Sequence, residues 1–347
     1  MNILMIGPSN RLKGGVASVV NNYIENFDKD NIKLIYCSTI NSEKFLNKIL
    51  NFCCFILKLI FLLIFKKIDL VHIHMASRGS YERKKIIINI CSAFKKKIIV
   101  HLHGAEFKVY YEEECIEKKK EEIRKTFNKA NMVLVLSKSW AQFIKKLTNT
   151  RVEVLYNCVS ISDKIYYNSN NRKILFLGRL EERKGVYDLL DICKSIEKFD
   201  PNLEVLLCGD GNIKEVENIV SYKKLKNVRV LGWVNSSEKE KIIKETIINI
   251  LPSYNEGMPM SILELMGKGI CSISTNVGGI PEVIDNYKNG ILITPGDKEM
   301  LLSEIINLVR NKDLCELLSI NAYNKAKENF DIKSNISRLN TLYREIL

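Results

Sequence analysis

The chain has 347 residues, 46% hydrophobic and 27% charged, a balance that excludes a disordered or fibrous polymer and a length that suits two ordinary domains rather than one. Its net charge of +13 is confined to the first half: residues 1–165 hold 28 Lys plus Arg against 15 Asp plus Glu, and residues 166–347 hold 25 of each. Ten cysteines with no Cys-x-x-Cys spacing exclude a disulfide framework and a zinc module, and fit a reducing cytoplasm.

A basic first half faces something anionic, either nucleic acid or the inner leaflet of a membrane. No nucleic-acid signature accompanies the charge, so the clusters Arg83-Lys84-Lys85 and Lys95-Lys96-Lys97 point to an anionic bilayer surface.

Residues 2–7 read as a strand that Met1 opens directly, so no signal peptide is expected. Gly14-Gly15 follows, ahead of a helix beginning near Val16. Glycine there lets backbone approach a phosphate, and the helix N-terminus adds a favourable dipole. The pattern is not Gly-x-Gly-x-x-Gly, which weakens a dinucleotide reading. A second strand is expected at 32–39. Ile49 to Phe65 is apolar with Lys58 in its middle, at the short limit for a membrane span. It is expected to be a buried helix or one that dips an apolar face into the interface. Strands follow at 69–74, 97–102, 131–136 and 151–155. All four histidines fall in His-x-His pairs, His72/His74 and His101/His103, and each pair puts both rings on one strand face. No carboxylate or cysteine pattern completes a metal site around them. The polar stretch Ser160 to Asn171 reads as a linker, after which the strand pattern restarts at 173–177. Two doubly wound α/β units are expected, residues 1–165 and 166–330.

In the second unit, strand Lys173 to Leu177 runs into Gly178 and then Arg179, which places a guanidinium at the carboxyl end of the sheet, where open α/β folds bind ligands. Lys184 adds a point charge, and both cations suit a phosphate. A later strand, Ile247 to Leu251, leads into Pro252 to Glu264. Glu256 is expected in the loop and Glu264 on the helix, with helix-start amides near Gly257 to Met260. Were the intervening residues wholly helical, the carboxylates would stand roughly 12 Å apart along the axis. That exceeds the about 5 to 9.5 Å of a glycosidase pair and suits two ends of one extended ligand.

These residues resemble a known family. Gly178-Arg179-Leu180 with Lys184-Gly185, then Glu256 and Glu264, look like the donor-site signature of glycosyltransferase family 4, retaining enzymes of the GT-B fold. Lys13-Gly14-Gly15-Val16 and His101-Leu102-His103-Gly104 resemble its glycine loop and His-Gly segment. The wording around Gly257-Met258-Pro259 and His72 to Ser80 is similar to bacterial enzymes that build capsule, exopolysaccharide or O-antigen units. The resemblance implies two tandem Rossmann-like parallel-sheet domains with a cleft between them, the first completed by a returning helix at 331–347. It implies catalytic roles for His103 and Glu256. Donor binding falls to Gly14, Gly15, Arg179, Lys184, Gly257, Met258 and Glu264, with Glu264 at the ribose, and the turn Gly209-Asp210-Gly211 borders the nucleotide. No metal ion or other cofactor is implied. The implied reaction moves a hexose or N-acetylhexosamine from a nucleotide-diphosphate sugar, UDP before GDP, to a polyprenyl-diphosphate-linked saccharide. The enzyme would be cytoplasmic and peripheral at the inner face of the plasma membrane, and no nucleic acid is expected as partner. Two alternatives stand beside it: a sugar-nucleotide epimerase of GT-B-like fold, and a non-catalytic basic protein that binds a membrane surface.

Overall fold

A computed structural model describes residues 1–9, 14–27, 32–39 and 45–347. Lys13 of the glycine-loop motif lies outside the described residues. The chain divides into two compact units, Met1–Cys158 together with Ile332–Leu347, and Val159–Asp331.

The first unit runs β1 (Asn2–Gly7), α1 (Gly15–Asn26), β2 (Lys33–Ser38), α2 (Phe45–Phe65), β3 (Leu70–Met75), α3 (Gly79–Ala93), β4 (Lys97–Leu102), a short α4 (Phe107–Val109), α5 (Glu117–Phe127), β5 (Met132–Val135), α6 (Lys138–Lys145) and β6 (Arg151–Val154). Its strands form one parallel sheet in the order β2-β1-β3-β4-β5-β6. Every residue of β3 is buried, as expected for a central parallel strand covered on both faces. The strand order reverses between β1 and β3, which opens a crevice at their carboxyl ends.

The second unit runs β7 (Lys173–Leu177), α7 (Val186–Phe199), β8 (Glu204–Cys208), α8 (Ile213–Tyr222), β9 (Val228–Gly232), α9 (Ser236–Lys244), β10 (Thr246–Leu251), α10 (Met260–Met266), β11 (Ser272–Thr275), α11 (Ile280–Val283), β12 (Ile291–Ile293), α12 (Lys298–Arg310) and α13 (Lys312–Asn329). Its sheet is also parallel, in the order β12-β11-β10-β7-β8-β9, and the reversal falls between β7 and β10. α7 shows why these segments are helical: Val186, Leu189, Leu190, Cys193 and Ile196 recur at three- and four-residue intervals and are all buried.

The last helix, α14 (Ile332–Ile346), belongs to the first unit. Asn335 accepts from the Tyr23 hydroxyl of α1 at 3.1 Å and donates to the Tyr156 carbonyl at 2.7 Å.

The domain boundary departs from the sequence reading. Residues 159–165 belong to the second unit, and Ser160 to Asn171 is no free linker. Val159 bridges to Asp331, the Ser162 amide donates to the Gly267 carbonyl at 3.0 Å, and the Tyr166 amide donates to the Lys268 carbonyl at 2.8 Å. Tyr166 and Tyr167 pack against the core formed by Leu175, Leu206 and Leu265. Apolar side chains spaced through a polar segment tie it down where composition alone reads linker.

α2 is apolar on two sides. Phe55, Leu59, Leu62 and Leu63 are buried, while Leu50, Leu57, Phe61, Ile64 and Phe65 are exposed. Among the described residues no helix is long and apolar enough to cross a membrane.

Candidate functional site

In the second unit the reversal between β7 and β10 gathers the expected residues. Gly178 follows β7, and the loop after it is fixed by the turn that closes β8. The Leu180 amide donates to the Asp210 carbonyl at 2.6 Å, and the Asn212 amide donates to the Leu180 carbonyl at 2.8 Å. Gly209, at φ 149°, lies so close to the Gly178 carbonyl that any side chain there would overlap it. Gly209-Asp210-Gly211 therefore shapes the Arg179 loop. Arg179 itself is 57% exposed, and its Nε stands 3.5 Å from Glu181 and 3.8 Å from Asp210. Contacts that long leave the guanidinium fork facing solvent.

Lys184 closes a single 3-10 turn, Glu182–Lys184, and Gly185 follows in the left-handed region at φ 72°. A Cβ at Gly185 would strike the Pro252 carbonyl, so glycine is what lets the β7 loop lie against the end of β10. Arg183 Nη1 donates to the Asn255 carbonyl at 2.9 Å, and the Tyr254 amide donates to the Arg183 carbonyl at 2.8 Å. The two loops are thereby clasped, and Lys184 Nζ meets Glu256 Oε1 directly. Both side chains are largely shielded, 15% exposed for Lys184 and 6% for Glu256. Ser253 Oγ adds a second donor to the same carboxylate oxygen at 2.8 Å. Sequence reading assigned Lys184 to a phosphate and Glu256 to a sugar, but the structure joins them as one shielded ion pair.

Gly257 and Met258 are not at a helix start, which corrects the sequence reading. α10 begins at Met260 with Pro259 as its N-terminal cap, at φ −70° and ψ 121°. Proline disfavours helical geometry in the residue before it, so Met258 and Gly257 stay in the loop. The 12 Å helical spacing between the two carboxylates consequently does not apply. Glu264 lies on α10 and pairs with Lys239 of α9 at 2.6 Å, a partner the sequence reading did not foresee.

Gly278 is a further positioning residue that sequence reading missed. It sits at φ 57°, with its Cα against the Glu256 carbonyl, and the next amide, Gly279, donates to the Gly257 carbonyl at 2.8 Å. The signal was present in Val277-Gly278-Gly279, a glycine pair in the loop that follows β11.

In the first unit Gly14, at φ 128°, precedes α1 and, being glycine, has no side chain with which to cap it. His103 leaves β4 with its amide donating to the Met75 carbonyl at 2.8 Å, and its Nε2 lies 2.8 Å from His74 Nδ1. His101 lies beside it, with ring centroids 4.1 Å apart and the rings tilted by 38°. His72 Nε2 faces His101 Nδ1 at 3.2 Å, and His72 Nδ1 meets the Tyr343 hydroxyl at 2.6 Å. The four rings form one ladder. The nearest nitrogens of His72, His74 and His101 lie within 4.8 Å of one another. Burial holds His103 at about 3, and burial followed by the nearby His103 holds His72 at about 3. His74 and His101 are pushed down by the same burial. His103 therefore acts as a neutral hydrogen-bonding imidazole.

This ladder makes stability pH-dependent. A histidine whose folded pKa is depressed keeps its full contribution above its unfolded value near 6.5, and loses it progressively as pH falls toward 3. For fully buried His72 the loss at pH 5 is about 2 kcal/mol. The melting temperature should therefore fall between pH 7 and pH 5, before carboxylates titrate, and a flat profile over that range would refute the buried-neutral ladder.

Two family models divide the chain between them: "Glycosyltransferase Family 4" matches residues 14–163 and "Glycosyl transferases group 1" matches residues 160–325. The chain belongs to glycosyltransferase family 4. This family 4 chain is 26% identical to an uncharacterized 41.2 kDa protein in the cps region of Klebsiella pneumoniae, over 94% of its own length and 96% of that protein. It is 27% identical to the Escherichia coli UDP-Gal:alpha-D-GlcNAc-diphosphoundecaprenol alpha-1,3-galactosyltransferase, over 51% of its own length and 46% of that enzyme. Among solved structures it resembles Anabaena Alr3699/HepE in complex with UDP, with a TM-score of 0.77 at 17% identity, over 99% of this chain and all of that one. The family 4 chain has the GT-B fold, with two parallel six-stranded sheets.

Proposed function

We propose that this glycosyltransferase is a retaining enzyme that transfers a hexose or N-acetylhexosamine from a UDP-sugar to a lipid-linked saccharide in bacterial surface-polysaccharide synthesis. The observation that carries the reading is the pairing of an open Arg179 with a shielded Lys184–Glu256 pair at the β7/β10 reversal, where an extended anionic ligand is expected. The E. coli relative's printed name supplies the UDP-sugar and diphosphoundecaprenol chemistry, and the cps region of the Klebsiella relative supplies the polysaccharide setting.

In this reading Arg179 and the loop amides near Gly257 counter the charge that develops on the departing diphosphate, with no metal ion required. Met258 and Gly257 line the sugar end of the donor, and Glu256 orients the sugar hydroxyls. Lys184 fixes that carboxylate and lends its charge nearby. Glu264 takes the ribose, exchanging part of its contact with Lys239. Gly14, Gly15 and His103 keep the donor-binding and catalytic roles that the resemblance implies, His103 as a neutral imidazole. The acceptor hydroxyl attacks from the face that the diphosphate leaves, so configuration is retained without a protein nucleophile.

A thermal-shift series with UDP, GDP, ADP and CMP tests the donor assignment. UDP alone should raise the melting temperature, and Glu264→Gln should remove most of that rise while the unliganded protein melts normally. Equal shifts with all four nucleotides, or a UDP shift untouched by Glu264→Gln, would sink it. Release of free sugar isomers from UDP-sugars without an acceptor would favour the epimerase instead.

Peripheral membrane binding rests on α2, whose exposed Leu57, Phe61, Ile64 and Phe65 are followed by Lys66 and Lys67. Vesicles containing anionic lipid should sediment with the protein, and Phe61→Glu with Phe65→Glu should weaken that by at least about tenfold, since each phenylalanine buried contributes roughly 1.5–3 kcal/mol. Unchanged sedimentation would remove α2 from the membrane.

A further inference from the structure

A neutral imidazole carries one proton on two nitrogens, so it donates from one and accepts at the other, and its tautomer decides which of the two it offers a ligand. In the histidine ladder His72, His74 and His101 are at most 1% exposed, whereas His103 is only part-buried. His103 Nε2 is taken up by His74 Nδ1 at 2.8 Å, and among the described residues nothing bonds His103 Nδ1. Nδ1 is therefore the nitrogen left to a ligand. The proton between His103 and His74 settles whether that nitrogen gives a hydrogen bond or receives one.

The far side of the His74 ring decides the sharing. Its Nε2 is buried with no partner among the described residues. If His103 donated from Nε2, His74 would accept at Nδ1 and its own proton would stand on Nε2, an N–H with no acceptor in a dry site. Burial, then His72, His103 and Lys84, oppose positive charge on this ring, and a hydrogen at Nε2 meets the same opposition from Lys84, which lines the same cavity. If His74 donates instead, Nε2 holds only a lone pair, which a neighbouring ammonium favours. The ring that makes this choice is held in place: His72 stacks on it at 4.6 Å between centroids and 15° between planes, and the register of β3 with β4 sets His74 opposite His101.

We propose that His74 is a positioning residue for His103: it donates from Nδ1 to His103 Nε2 and so keeps the His103 proton on Nδ1, the nitrogen open to a ligand. The inference rests on the catalytic role of His103 in the transferase reading above. His103 then presents an N–H, and the group it orients is an oxygen acceptor such as a sugar hydroxyl. His74 touches no substrate in this arrangement and acts only through the ring of His103.

The test is nitrogen NMR of the full chain, isotopically labelled in its four histidine rings, with His103 assigned by the signals missing in His103→Gln. Two-bond proton couplings tell which nitrogen of each ring carries the proton. The parent should show the proton on Nδ1 in both His103 and His74. His74→Phe keeps a ring in place and removes the hydrogen-bond donor, so the His103 proton should move to Nε2 or average over both nitrogens. Turnover should then fall by at least about tenfold while UDP affinity stays within about twofold. His74→Asn puts an amide N–H close to where Nδ1 stood and should restore both the Nδ1 proton and most of the turnover, a rescue that mere filling of space by the imidazole would not give. A parent proton on His103 Nε2 overturns the proposal whether or not His74→Phe folds, and so does a His103 proton that stays on Nδ1 in His74→Phe. Full turnover in His103→Gln sinks the catalytic assignment of the transferase reading separately, while the spectra still decide what His74 does to His103.

Discussion

A Glu256→Gln enzyme is expected to lose transferase activity by at least about 100-fold and stability by about 3 kcal/mol, because it strips the partner from a shielded lysine. The two effects have separable causes. Stability falls because Lys184 is left in a poorly hydrated site with only neutral oxygens to meet. On the proposed assignment, activity falls because the carboxylate that orders the sugar has gone, which costs alignment at the reacting carbon. The double variant Lys184→Met/Glu256→Leu distinguishes them. Replacing a buried pair with apolar groups of similar size is often neutral, so denaturant midpoints should return toward the parent value while turnover stays lost. If turnover returned along with stability, the pair would be an internal strut and Glu256 would have no hold on the donor. Full activity in Glu256→Gln would exclude a role at the sugar more directly.

Much of this arrangement is legible in the order of residue types along the chain. The two doubly wound units follow from strand-like apolar runs alternating with helical periods, and the strands at 2–7, 97–102 and 173–177 sit where that alternation puts them. The site is legible to the extent that it depends on residue type at a strand end: Arg179 after β7 and Glu256 after β10 occupy adjacent strands at a reversal of strand order. What escapes depends on contacts between segments far apart in sequence. Composition makes Ser160 to Asn171 a linker, yet Tyr166 and Tyr167 find an apolar seat against Leu265 of α10. The dipole argument puts amides at Gly257, yet Pro259 delays the helix to Met260. The Lys184–Glu256 and Lys239–Glu264 pairs join residues 72 and 25 positions apart, and no local pattern encodes which charge meets which. Charge counting finds the basic half but not that Lys84, one of many lysines in it, is buried.

Gly278→Ala should be nearly as damaging as the loss of Glu256, although residue 278 carries no functional group. At φ 57° an alanine costs on the order of 1 kcal/mol in backbone strain, and its Cβ would be driven into the Glu256 carbonyl, a contact that rigid backbone on both sides cannot absorb without displacement. The Gly279 amide that holds the Gly257 carbonyl moves with it, so the loop carrying Glu256, Gly257 and Met258 has to shift as a body. A displacement of about 1 Å at a reacting centre is worth roughly 100-fold in rate, and that is the expected loss in kcat/KM. Arg179 is held on the other side by the Leu180–Asp210–Asn212 hydrogen bonds, and Glu264 by α10, so neither depends on Gly278. UDP keeps Arg179 and Glu264 and loses only the loop amides near Gly257, so its affinity should fall by clearly less than turnover does. Parallel loss of both would mean that the whole unit unfolds around the substitution. Retention of both would mean that the Glu256 loop accommodates a methyl group and that its position is set elsewhere, by Ser253 and Lys184 alone.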